Sequence, residues 1–140
     1  MRTHEETYDA FINGKLTKGE WTHEAHLVTG WMALQKMSAT DALSYLRDSI
    51  RAHNCGIGIQ NTDNSGYHET LTVYYVTAIA AANAASPDAL FDDPTTSSTA
   101  PLTFWNKDTL MSVDARLGWL APDREALPWD PVGQTPSSRI

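Results

Sequence analysis

Apolar residues recur every three or four positions in four stretches of the chain, the spacing of helices that bury one face. The first stripe is Tyr8, Phe11 and Ile12. A Thr3–Glu6 capping box precedes it and Gly14 is placed to stop it. A second capping box, Thr17–Glu20, is flanked by Leu16 and Trp21 as a hydrophobic staple. It predicts a helix from about Lys18 to about Met37 whose middle, Leu27 to Leu34, is apolar almost all round and therefore central. Ser38 or Thr40 caps a third helix carrying Ala42, Leu43, Leu46 and Ile50, ended by Gly56 and Gly58. After the polar loop Asn61–Gly66, a fourth helix is expected from near Gly66 to about Ala85. Its Thr70–Val76 half is rich in β-branched and aromatic residues, and the Ala-rich half that continues it without a turn favours helix.

Beyond this point the periodicity weakens. Ser86-Pro87 suits the start of a short helix, residues 93–101 read as a loop, and short helical pieces are expected at Asn106–Met111 and Ser112–Trp119. Pro128, Pro131 and Pro136 mark a terminal segment that wraps the surface or frays. No internal repeat is present. The fold class read from the pattern is all-α: a single-domain bundle of about four main helices over 1–125, with an irregular tail over 126–140.

Composition narrows the functional classes. At 140 residues with 41% hydrophobic content, five Trp, five Tyr and three Phe, the chain can bury one core. Ten basic residues against seventeen acidic ones give a net charge of −7, with Lys and Arg scattered. That argues against nucleic acid, which needs a basic face, and against an anionic membrane. Cys55 is the only cysteine and reads as a small buried hydrophobe. The first residues are polar and acidic, unlike a signal peptide, and the most apolar run, Val76–Ala85, is too short to cross a bilayer. The expected location is cytoplasmic.

The candidate chemistry lies in histidines. His23 and His26 are three apart, so both imidazoles can reach one ion from one helix face. The stripe His23, Leu27, Gly30 and Leu34 points inward, and buried imidazoles need partners, since each unpaired one costs ~1–3 kcal/mol. His68 heads a second inward stripe, Thr72, Tyr75, Ile79 and Ala82, at a helix N-terminus whose partial positive charge favours the neutral ring that metals bind. If the two helices run parallel, their starts meet at one end of the bundle. His23, His26 and His68 are thus the expected ligands of a divalent metal, zinc or iron, with open positions for chemistry. Glu69 and Glu24 are the candidate bases, ligands or outer partners. Tyr67, Asn61, Asp63 and Arg116 are candidate substrate contacts, Arg116 having an ion-pair reading beside it. Each histidine also has a plainer reading: His23 and His26 bonded to carbonyls or carboxylates, and His68 capping a loop or packing on Tyr67. His4 and His53 read as surface or terminal histidines.

The segments Phe11-Ile-Asn-Gly14, Trp21-Thr-His-Glu-Ala-His-Leu27, Asn61-Thr-Asp63 and Ser65-Gly-Tyr-His-Glu-Thr70 resemble a family of small bacterial helical proteins without an assigned reaction. Phe104-Trp and Arg116-Leu-Gly-Trp119 are a fainter echo, and the likeness covers about half the chain. The resemblance implies that His23, His26, His68 and Glu69 belong to a family pattern. A looser, architecture-level analogy is to three-histidine helical bundles such as the DinB-like hydrolases, whose histidines differ in order and spacing. The function expected is a metal-dependent enzyme acting on a small molecule, a hydrolase or a non-haem iron oxygenase. The alternatives are a non-catalytic metal- or ligand-binding module and a structural protein with buried polar histidines.

Overall fold

A computed structural model describes residues 2–134. These residues form an all-α bundle of four long helices: α1 (His4–Ile12), α2 (His23–Lys36), α3 (Ala39–Gly56) and α4 (Glu69–Ala82). Three short helices follow in the irregular half: α5 (Asp88–Phe91), α6 (Lys107–Leu110) and α7 (Val113–Leu117). No strand occurs among the described residues, and Thr62 and Ser65 form one isolated bridge across a tight turn. No helix among them is long and apolar enough to cross a membrane.

The caps explain most of the boundaries. Thr3 and Glu6 exchange hydrogen bonds as a capping box on α1, and Ser38, not Thr40, caps α3 by accepting from Asp41 N. The Thr17–Glu20 box also forms, yet it closes only a 3₁₀ turn, Lys18–Glu20. Trp21 leaves helical backbone at ψ 65°, and Thr22 caps a fresh helix by accepting from Ala25 N at 3.2 Å. Two start signals therefore overlap, and the stronger helix follows the second, so α2 begins at His23 rather than near Lys18. Similarly, α4 begins at Glu69 rather than Gly66. It stops at Ala82 rather than Ala85, because Asn83 turns into the left-handed region at φ 48°.

Tyr8, Phe11, Val28, Met32, Leu43 and Leu46 join α1, α2 and α3 in one core. Helix α4 is enclosed on the other side by the irregular half, and its polar side chains dock that half. Thr70 Oγ1 donates to Gly118 O and accepts from Leu120 N, and Tyr74 OH donates to Thr95 O. Fully buried Trp105 stands edge-on to Tyr74 and Trp119, with its Nε1–H on Leu120 O. The described part of the tail lies across this assembly: Trp129 packs on Tyr74, and Val132 N donates to Thr77 Oγ1. Residues 135–140 of the tail lie outside the described residues.

Three contacts set the register of α2 against α4. His23 meets Tyr75 edge-on at 5.3 Å, Gly30 lies under Ile79, and Trp31 Nε1 donates to Ala84 O at 3.0 Å. Both helices advance in the same direction, as the sequence reading requires. Their starts are nevertheless offset: His23 sits beside a residue seven positions after His68. At 1.5 Å per residue that is about 10 Å along the axis.

Candidate functional site

The offset opens a cavity of about 550 Å³ between α2, α3 and α4, with mostly apolar walls. Both inward stripes line it: His23, Leu27 and Gly30 from α2, and His68, Thr72, Tyr75 and Ile79 from the α4 segment. The three histidines picked out by sequence therefore border one space. Their ring nitrogens differ in what they have left to offer.

His23 Nε2–H donates to Thr96 O at 2.8 Å, which leaves Nδ1 with a free lone pair. His26 Nδ1–H donates to Thr22 O at 2.6 Å, which leaves Nε2 free. A carbonyl only accepts, so each contact sets the tautomer. His68 has neither nitrogen free. Its Nε2–H donates to Leu110 O at 2.7 Å, and its Nδ1 accepts from Leu71 N at 3.1 Å, capping α4. The plainer readings thus describe the contacts seen: carbonyl partners for His23 and His26, and a cap for His68. Among the described residues no three His, Cys, Asp or Glu side chains come together as a metal-holding group. The donor set here is two imidazole nitrogens, not the three expected.

Electrostatics disfavour the charged form of His26 and His68. Enclosure by protein pushes the His26 pKa down, to about 4, against a raising contribution from the Thr22 carbonyl. The ring is nonetheless exposed, and its accessible surface borders the cavity. Water there tempers the penalty, and His26 is mainly neutral at pH 7 in either limit. His68 is also pushed down, by burial first, with Arg116 adding to it and the Leu110 carbonyl opposing. Among the described residues no Lys, Arg, Asp or Glu lines the cavity.

The carboxylate candidates are placed elsewhere. Glu69 does not line the cavity. Arg47 grips it with Nε–Oε1 at 2.9 Å and Nη2–Oε2 at 2.6 Å, and Tyr67 OH donates to Oε1 at 2.6 Å. Burial raises the Glu69 pKa, but the Arg47 and Tyr67 hydrogen bonds outweigh it and hold the carboxyl low. A carboxylate whose oxygens are so engaged is a structural anchor for the start of α4. Glu24 is exposed and lines a separate depression beside Arg2, His4 and Phe91.

Of the expected substrate contacts, only Tyr67 lines the cavity, and the Arg51 guanidinium lies 4.7 Å from its ring centroid. Asn61 Oδ1 accepts from Tyr67 N and from Asn54 Nδ2, which holds the loop shut. Asp63 is exposed at the turn. Arg116 Nη1 donates to Gly66 O and Tyr67 O, so it braces the entry to α4 through main-chain carbonyls rather than an ion pair.

Trp21 and Asn54 also line the cavity, though neither is expected there from the sequence, and His53 and Cys55 exchange their expected places. Cys55 is exposed, whereas His53 is 3% accessible and packs on Phe11 and Trp21 with both nitrogens unpaired. The signal for Trp21 was its place in the staple, which aims it at the interior. No protein-family model, curated protein or solved structure matches the chain.

Proposed function

We propose that the protein is a small-molecule-binding module whose ligand occupies the cavity between α2, α3 and α4. One observation carries this reading: an uncharged, mostly apolar space of about 550 Å³ into which His23 and His26 each bring an unused lone pair. Binding sites for small molecules are of this size and make-up, with few polar groups among apolar walls. The same geometry favours binding over proton transfer. A general base works best with a pKa near the working pH, and the His26 ring is pushed the other way. Glu69 and Glu24 supply no base at the cavity.

A metal-dependent enzyme is the second reading, favoured by how the two rings are held. Metal-bound histidines commonly donate their other N–H to a carbonyl, as His23 and His26 do. These two nitrogens would hold a zinc or iron ion, which would supply Lewis-acid polarisation of a ligand in the cavity.

The test is a screen of neutral small molecules by thermal unfolding on wild type and Thr72→Trp, a substitution that fills the cavity. Molecules that raise the wild-type Tm and leave a folded Thr72→Trp unmoved support the reading. Equal effects on both proteins would place binding elsewhere. Metal content of tag-free protein separates the second reading from the first.

A further inference from the structure

The cavity carries a directional feature at one end. Phe11 and Trp21 stack with ring centroids 4.9 Å apart and planes 15° apart, and Trp21 and His26 stack at 3.8 Å and 28°. Three rings therefore form a column that starts in the core and ends at the cavity. Trp21 covers one face of His26 and Thr22 O occupies Nδ1. His26 is exposed and lines the cavity, and its Nε2 makes no hydrogen bond to the described residues. Beyond it, the walls are mostly apolar, and His23 contributes a second acceptor.

Resting on the cavity-binding reading above, we propose that the ligand is a neutral, flat aromatic molecule bearing an N–H or O–H donor. Its ring extends the Phe11–Trp21–His26 column and its donor meets His26 Nε2 or His23 Nδ1.

Stacking, hydrogen bonding and desolvation narrow the class. A ring face at the end of a column offers offset stacking that a saturated ring cannot match. Two lone pairs with no opposing donor require the ligand to bring the hydrogen, because an unmet acceptor buried by a ligand is left unpaired. A lining without a charged side chain gives a carboxylate or phosphate no counter-ion, and desolvating such a group uncompensated is costly. The lowered His26 pKa agrees, since it withholds the imidazolium an anion would seek.

The experiment titrates ¹⁵N-labelled full-length protein with phenol, indole, toluene, cyclohexanol and benzoate. The readouts are the Trp21 indole N–H and His26 amide signals. Phenol and indole should bind roughly two- to twelve-fold more tightly than cyclohexanol, the range that aromatic stacking supplies. Toluene, which lacks a donor, and benzoate, which is charged, should both bind more weakly than phenol. His26→Leu should erase the preference for phenol over cyclohexanol. The wild-type ranking stands as a test even if that variant misfolds. Cyclohexanol or toluene matching phenol, or benzoate binding most tightly, would overturn the ligand class while leaving cavity binding intact. If no probe moves these signals, the cavity reading fails and this inference falls with it.

Discussion

Glu69→Gln separates the structural role seen here from the catalytic role suggested by the sequence. The substitution removes the negative charge that Arg47 grips at 2.6 and 2.9 Å but keeps an oxygen to accept from Tyr67. Breaking a fully buried pair by removing one partner costs ~3–5 kcal/mol. The Glu69 side chain is 11% accessible and that of Arg47 is 32%, so water can partly solvate the guanidinium left behind. The expected loss is therefore about 2–3 kcal/mol, below the buried range. With an unfolding entropy of roughly 2.1 cal/mol/K per residue, 140 residues give ~0.3 kcal/mol/K, so Tm should fall by ~7–10 °C. Thermal unfolding followed by circular dichroism at pH 7 measures this, and a phenol titration alongside should give an affinity within about two-fold of wild type, since Glu69 does not line the cavity. An unchanged Tm with phenol binding lost would rule out the anchoring role and return Glu69 to the site.

Further outcomes follow from other named contacts. Gly66 has φ +76°, and a Cβ there would press into the Gln60 carbonyl, so Gly66→Ala should destabilise by about 3 kcal/mol in urea unfolding. A loss below about 1 kcal/mol would show that the loop relaxes freely. His68→Ala loses both the α4 cap and the Leu110 contact, whereas His68→Asn keeps a capping side chain. Asn should thus be more stable than Ala by about 1 kcal/mol, and neither should change metal affinity. The pKa values of His26, His53 and His68 are all pushed down from 6.5, burial being the first cause. Below that value the unfolded chain takes up more protons than the folded one, so stability is full above it and declines as pH falls towards about 4, the His26 value. Tm should drop between pH 7 and pH 5, and a flat profile would contradict the lowered pKa values of these rings.

Local chemistry was legible in the chain, and relative placement was not. Capping boxes at Thr3 and Thr17, the inward stripes behind His23 and His68, and the all-α class follow from spacing alone and recur in the structure. The start of α2 differs from the expected one because the Thr17 box and the Thr22 cap lie five residues apart, and only the backbone turn at Trp21 decides between them. The two-turn offset between α2 and α4 has no local signal. It arises where Gly30 lets Ile79 approach and Trp31 reaches Ala84. The acceptors that occupy His23 and His68, Thr96 O and Leu110 O, are main-chain atoms in the irregular half. Any residue type could supply them, so no side-chain pattern announces them. Beside His68 in sequence, Glu69 reads as a candidate base, ligand or outer partner, while the partner that grips it in the structure, Arg47, lies a helix away.

The most direct test of cavity binding is a crystal structure of the protein soaked with phenol. One phenol is expected between α2, α3 and α4, its ring against the His26 face that points away from Trp21 and its hydroxyl within hydrogen-bond distance of His26 Nε2 or His23 Nδ1. An empty cavity in phenol-saturated crystals, with phenol bound only on the outer surface, would contradict it.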